Sequence, residues 1–241
     1  MVYRGSKKRL KKYILPIIQK CIDDNDIKTY VEPFVGGANI IDSVNCKTRI
    51  GSDINYYLIA ILNYMKQNPN MEIFKDECSK EHYIDVKESY KNNLGKYSDA
   101  YIGGIGFFAS FSGNFFDSYN CNEGKRNRYQ EVLRNARKQA PLLKNIDFCC
   151  SDYTVYEHTG YKNCVFYLDA PYRNTRKYGS KFDFGRYYDF CRNMSKDNFV
   201  FISEYEMPSD FKCIFEKEIK DCTCSSKIKA IDKIEKLFIL R

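Results

Sequence analysis

The sequence predicts an α/β protein built on a mixed, mostly parallel sheet and interrupted by a mainly helical insertion. Three observations carry this reading. Short apolar, β-branched runs recur, and several end in a carboxylate followed by a helical stretch. One of them, Cys164-Val165-Phe166-Tyr167-Leu168, is nearly unbroken, as a parallel strand covered on both faces should be. Residues 71–146 break the rhythm, and strand–helix alternation returns after them.

Taken in order, residues 8–22 place Leu10, Tyr13, Ile14, Ile17, Ile18 and Cys21 at helical spacing, with Pro16 as a kink or boundary. Thr29-Tyr30-Val31 reads as a strand running into Glu32-Pro33-Phe34-Val35-Gly36-Gly37, a glycine-rich turn expected to open a helix. Arg49-Ile50-Gly51-Ser52-Asp53 is a second strand, and residues 55–65 a helix with Leu58, Ile61, Leu62 and Met65 on one face. The 71–146 block holds charged helical stretches, a Gly103-Gly104-Ile105-Gly106 segment, a polar basic stretch, and a helix over 130–139 that ends before Pro141. Ile146-Asp147-Phe148-Cys149-Cys150 and Phe199-Val200-Phe201-Ile202-Ser203 are further strands. Segments 213–217 and 235–240 suit an antiparallel hairpin at the sheet edge.

Composition narrows the classes. With 241 residues, 44% hydrophobic and 16% aromatic, the chain can bury a substantial core and is not disordered by composition. No apolar run is long enough to cross a membrane, and Tyr13-Ile14-Leu15-Pro16-Ile17-Ile18 is too short and interrupted for a signal peptide, so a cytoplasmic location is expected. The 11 cysteines include no Cys-x-x-Cys pair, and His82 and His158 are the two histidines; this is poor material for zinc, and reduced packing cysteines are expected. The net charge of +8 gathers at Lys7, Lys8, Arg9, Lys11 and Lys12, and again at Lys125, Arg126, Arg128, Arg134, Arg137 and Lys138. Either cluster fits a polyanion or a solvated helix face.

Three runs end in an acid: Asp53, Asp152 and Asp169. Open α/β sheets bind ligands at the carboxyl ends of their strands, although each acid could equally cap the next helix. The loop Phe34-Val35-Gly36-Gly37-Ala38 lacks both the dinucleotide fingerprint and the Lys-Ser/Thr end of a phosphate loop. Asp53, about 20 residues beyond it, can take ribose hydroxyls. The pattern suits a nucleoside cofactor without a pyrophosphate.

The sharpest motif is Asp169-Ala170-Pro171-Tyr172, directly after the apolar run. Here the chain resembles the Dam-type, α-group adenine-specific DNA methyltransferases, in their small phage-like and restriction-associated form, whose signature is Asp-Pro-Pro-Tyr. The resemblance covers almost the whole chain. Tyr3-Arg4-Gly5-Ser6-Lys7 is similar to the N-terminal cofactor motif and residues 31–39 to the methionine-binding loop. Asp53-Ile54-Asn55 is similar to the ribose-binding segment, Ser151-Asp152-Tyr153 to the segment beside the cofactor adenine, and Phe201-Ile202-Ser203-Glu204-Tyr205 to the family's late strand. Five matches in this order are specific where any one is not.

The resemblance implies a Rossmann-like, S-adenosylmethionine-dependent methyltransferase fold. Residues 1–70 and 147–241 would form the catalytic and cofactor-binding domain, and 71–146 an inserted target-recognition domain. It implies transfer of a methyl group to the exocyclic amine of an adenine flipped out of double-stranded DNA. Asp169, Ala170, Pro171 and Tyr172 would be catalytic: the Asp169 carboxylate and the next carbonyl accept the amino hydrogens, and Tyr172 stacks on the base. Cofactor contacts would come from Tyr3, Lys7, Glu32, Pro33, Phe34, Gly36, Asp53, Asn55, Asp152, Tyr153 and Asp169. No metal is required. Residue type assigns Asn114, Asn120, Asn122, Lys125, Arg126 and Arg128 to DNA. A monomer in a bacterial cell or phage-infected host is expected, and a cognate restriction endonuclease is left open as a partner. The departure is Ala170, where the family has proline. A backbone carbonyl survives there, Pro171 still keeps Ala170 extended, and the lost rigidity is on the order of 0.4–1 kcal/mol, so activity is expected. Alternatives stay open at this stage: a catalytically impaired DNA- or cofactor-binding relative, or a methyltransferase acting on cytosine amino groups or RNA.

Overall fold

Side chains that alternate along the central strands are apolar on both faces, so the sheet has to be covered twice. In the computed structural model, which describes residues 1–123, 126–173, 182–220 and 232–240, both faces are covered. The strands are β1 (Thr29–Glu32), β2 (Thr48–Asp53), β3 (Asn122–Glu123), β4 (Arg126–Asn127), β5 (Ile146–Cys150), β6 (Val165–Leu168), β7 (Phe199–Glu204), β8 (Phe211–Lys220) and β9 (Asp232–Leu240). Seven of them form one sheet in the order β5-β2-β1-β6-β7-β9-β8, while β3 and β4 pair separately. From β5 to β7 every pairing is parallel; β9 enters antiparallel to β7, and β8 antiparallel to β9. This is the expected α/β sheet with its edge hairpin. The chain order reverses between β1 and β6, which opens a crevice at their carboxyl ends.

Alternation sorts the core. Tyr30, Val165 and Tyr167 face α1 (Lys11–Asp24) and α2 (Tyr56–Gln67), while Val31, Phe166 and Leu168 face α6 (Phe184–Met194). Tyr30, Val31, Val165, Phe166 and Leu168 are fully buried, and a buried side chain of this size is worth about 1.5–3 kcal/mol. Helix α1 packs Ile14, Ile18 and Ile22 inward and runs on through Pro16. Pro16 and Lys12 are both exposed, so water can take the carbonyl that the proline leaves unbonded.

Two sequence expectations change. The glycine-rich turn does not open an α-helix; a single 3-10 turn, Ile41–Ser43, follows it. Ile40, Ile41 and Val44 are drawn into the core within a few residues, which leaves no room for a longer amphipathic element before β2. The glycines at 103, 104 and 106 lie inside α4 (Asp99–Phe108), capped by Ser98, and they let that helix approach its neighbours closely. The helix expected over 130–139 starts two residues earlier, as α5 (Arg128–Gln139), because Asn127 caps it by accepting from the Gln130 amide.

The block between α2 and β5 also contains α3 (Lys80–Lys91). Its buried Phe74, Tyr83, Val86, Ile105, Phe107 and Leu133 belong to the same apolar cluster as Leu58 and Ile61 of α2. The block is therefore joined to the sheet through a continuous core. Among the described residues, no helix is long and apolar enough to cross a membrane, and nine cysteines carry free thiols.

Candidate active site at the strand ends

Five acids stand at the carboxyl ends of five neighbouring strands: Asp152 after β5, Asp53 on β2, Glu32 on β1, Asp169 after β6 and Glu204 on β7. Sequence alone pointed to this role for three of them. Asp53 ties two segments together. Its Oδ2 accepts from the Gly36 amide at 3.3 Å and its Oδ1 from the Asn55 amide at 3.0 Å. Burial pushes its carboxyl above the ordinary aspartate range, and these amides oppose the shift. Asn55 caps α2, accepting from the Leu58 amide at 3.1 Å. Asp152 is exposed and caps the 3-10 turn Tyr153–His158 through Thr154. Asn55 and Asp152 thus both serve as helix caps.

The glycine loop is lined from within the chain. Gly36 has φ +47°, and a Cβ there would come within 2.9 Å of the Tyr3 ring. Tyr3 also lies 5.7 Å, centroid to centroid, from Phe107 of α4. Gln139, at the end of α5, donates to the carbonyls of Gly37 and Ala38 at 3.1 Å each and to Asp42 at 2.9 Å. The block between α2 and β5 thus braces the loop from two directions. Pro33 is buried beneath it, and Phe34 packs with Tyr153 (5.3 Å) and Tyr187 (5.9 Å). Glu32 is 3% exposed and accepts from the Tyr30 hydroxyl at 2.5 Å. Burial pushes its pKa well above the usual carboxylate range. The nearby Asp42 and Asp169 carboxylates push it the same way.

The Asp169 turn holds the densest electrostatics. The Lys7 ammonium lies 2.9 Å from Asp169 Oδ1 and 3.0 Å from Glu235 Oε1. It also sits 4.4 Å from the centre of the Tyr172 ring. The Tyr172 hydroxyl donates to Glu235, and its ring meets Tyr205 edge-on at 4.6 Å. Burial works to lower the Lys7 pKa, but the two carboxylates outweigh it and the amine stays protonated above its ordinary value. Burial is the largest influence on Asp169 too, pushing it up; Lys7 opposes this and Glu235 adds to it. Ala170 is 5% exposed. Structure therefore brings Lys7, Asp169, Ala170 and Tyr172 together.

Glu235 and Glu204 were missed as site residues. Along β9, Ile234 is exposed while Glu235 is buried, so the apolar residue faces out and the acid faces in. Nothing in the local sequence marks that reversal. Burial lifts Glu204 to about 7 from 4.5, against backbone bonds from Tyr205 and Arg173. A carboxyl with a raised folded-state pKa stabilises the fold fully below 4.5, and that contribution is lost as pH rises through about 7. The Tm difference between Glu204→Gln and wild type is therefore expected to grow in the variant's favour from pH 5 to pH 8. A constant difference would contradict the shift.

The residues assigned to DNA are spread over the 114–128 stretch. Asn114 donates to Asp117 at 3.1 Å, and the Asn120 amide bonds the carbonyl of Ala109. Asn122 begins β3, and Lys125 lies outside the described residues. Arg126 forks onto Glu131 at 2.6 and 2.7 Å, while Arg128 opens α5 half-buried.

The family model of the D12 class N6 adenine-specific DNA methyltransferases matches residues 3–212. The chain belongs to this family. That match spans the glycine loop, the block between α2 and β5 and the Asp169 turn. Among relatives, the type II methyltransferase M.FokI of Planomicrobium okeanokoites is 27% identical over 194 residues, covering 70% of this chain and 28% of the relative. The type II methyltransferase M.MjaIII of Methanocaldococcus jannaschii is 23% identical over 211 residues, 77% of this chain and 72% of its own length. The modification methylase StsI of Streptococcus sanguinis is 25% identical over 225 residues, 84% of this chain and 32% of its own. The matched region of this D12-class chain is thus less than a third of M.FokI, about a third of StsI and most of M.MjaIII.

Proposed function

We propose that this chain transfers a methyl group from S-adenosylmethionine to the exocyclic amine of a flipped-out adenine in double-stranded DNA. The observation that carries the reading is the Asp169 carboxylate, held at the crevice end of β6 within a chain of the D12 family. Adenine's amino lone pair is delocalised into its ring. Two acceptors on its hydrogens, Asp169 and the Ala170 carbonyl, favour the geometry that frees the lone pair, and orientation supplies much of the acceleration. Ala170 needs only its carbonyl for this, and Pro171 keeps it extended. The Tyr172 ring is 8% exposed beneath Lys7, so stacking a base on it requires Lys7 to move off that face.

The residues present suit the cofactor. A nucleoside with a free ribose diol needs a carboxylate acceptor flanked by apolar surface. Asp53 is followed by Ile54, 73% exposed, and Val155, 42% exposed, lies just past the adjacent strand β5. Asp53 would hold the ribose, with Asp152 and Tyr153 beside the adenine, and Phe34, Gly36 and Glu32 at the methionine end with Tyr3, Lys7 and Asp169. Bound there, S-adenosylmethionine supplies the electrophilic methyl group.

Residues 71–146 serve as the target-recognition part, with Asn114, Asn120, Asn122, Lys125, Arg126 and Arg128 toward DNA. The enzyme acts as a monomer. Neutralising Lys125, Arg126 and Arg128 together should flatten the fall of DNA affinity with salt; an unchanged slope would remove them from the interface.

The decisive experiment is tritium transfer from labelled S-adenosylmethionine to unmethylated double-stranded DNA, followed by nucleoside analysis. Label in N6-methyladenine is expected. Label in N4-methylcytosine, label in RNA alone, or no transfer would overturn the reading.

A further inference from the structure

Strand β9 sends one acid into the Asp169 turn. Glu235 is 3% exposed, a placement that is costly for a carboxylate unless it is paired. One oxygen, Oε1, takes both the Lys7 ammonium at 3.0 Å and the Tyr172 hydroxyl. The same ammonium is 2.9 Å from Asp169. Lys7 is therefore divided between two carboxylates. Without the second one, Lys7 would commit its charge and hydrogens wholly to Asp169, the group that has to accept the adenine amine. The Tyr172 ring would also lose the anchor that holds it under Lys7.

We infer that Glu235 is a positioning residue for methyl transfer: it draws Lys7 partly away from Asp169 and fixes Tyr172, so that Asp169 keeps an acceptor oxygen for the incoming amine. This rests on the reading of Asp169 as the amine acceptor. Glu235 acts through Lys7 and Tyr172 and is not itself required to touch substrate. When the amine arrives, Lys7 keeps a second carboxylate as its partner.

Among the described residues, the charged and titratable groups that face Glu235 are Lys7 from the N-terminal segment, Asp169 and Tyr172 from the turn, Tyr167 from β6 and Glu204 from β7. Glu235→Gln removes one negative charge from this set while keeping its shape. The single-turnover methylation rate should fall about tenfold or more, as for loss of one charge-assisted hydrogen bond. Affinities for S-adenosylmethionine and DNA should stay within about twofold. The acid limb of the rate profile should move to lower pH, because a like charge beside Asp169 is gone.

Glu235→Asp is the companion variant. It keeps the charge but shortens the arm, so the limb should stay in place while the rate falls. A wild-type rate in either folded variant overturns the inference, as does a loss that lies entirely in DNA affinity. If the wild-type protein transfers no methyl group, the functional reading fails instead. The Lys7 15Nζ titration, followed by NMR, then still decides the arrangement. It should move to lower pH in Glu235→Gln, and an unmoved titration refutes a lysine shared between the two acids.

Discussion

Asp169→Asn is expected to lower the single-turnover rate of methyl transfer by about 10²–10³-fold, the usual cost of removing one preorganised group that stabilises a transition state. The substitution keeps the size of the side chain. It replaces one acceptor oxygen by an NH₂ donor that cannot receive the amine's hydrogen. Lys7 retains Glu235 as a partner at 3.0 Å, so the buried ammonium is not left unpaired and the variant should fold. Equilibrium binding of S-adenosylmethionine and of DNA should change only a few-fold, which separates lost chemistry from lost assembly. The pH profile supplies a second readout. Burial raises the Asp169 pKa above its ordinary 3.8 despite Lys7, and the active form is the carboxylate. Wild-type rate should therefore fall with decreasing pH along a limb lying above the usual aspartate range, and the Asn variant should lack that limb. Retention of more than a tenth of the wild-type rate in Asp169→Asn would remove this carboxylate from the reaction.

Apolar periodicity made most of the sheet legible. Strands β1, β2, β5, β6 and β7 and the β8–β9 hairpin lie where the runs placed them, because strands buried on both faces leave a mark in every residue. What escaped was set by tertiary contact. Helix α4 holds Gly103, Gly104 and Gly106, residues that disfavour an isolated helix; here they are tolerated because three neighbours press against that helix. Helix α6 (Phe184–Met194) is strongly amphipathic, with Tyr187, Phe190, Cys191 and Met194 inward, yet its polar Asp183 start gave little contrast with the preceding basic stretch. In the site, Lys7, Asp169 and Tyr172 were legible because a motif names them and the structure puts them in contact. Glu235 was not, since an acid between Ile234 and Lys236 reads as a solvent-facing charge until β9 is known to turn it inward. Side-chain patterns report the burial of a strand, whereas the partners of a single buried acid depend on chain segments far apart in sequence.

Gly103→Ala is expected to destabilise the protein by about 1–3 kcal/mol, in spite of alanine's better helix propensity. Helix α4 crosses α2 at this glycine, and a Cβ there would lie 2.2 Å from the Tyr57 carbonyl oxygen and 3.2 Å from Ile61 Cβ. The first contact is backbone, so no rotamer change relieves it, and the two helices must separate. For a chain of this size the loss corresponds to a fall in Tm of roughly 2–12 °C. Gly185→Ala provides the matched control. Gly185 is the second residue of α6, has ordinary helical φ, and its nearest neighbour is the flexible Asp183 carboxylate at 3.4 Å. There the propensity gain should dominate, raising stability by about 0.4–1 kcal/mol. Equal effects from the two alanines in a thermal or urea melt would refute the close crossing. The strain should also reach function. Tyr57 is the second residue of α2, beside the Asn55 cap whose amide bonds Asp53 at 3.0 Å. Displacing that first turn moves the acid assigned to the ribose, so Gly103→Ala should weaken S-adenosylmethionine binding several-fold at temperatures where the protein is still folded, whereas Gly185→Ala should leave it unchanged. A glycine in the block between α2 and β5 thus sets the position of a carboxylate in the crevice, through one carbonyl contact between two helices.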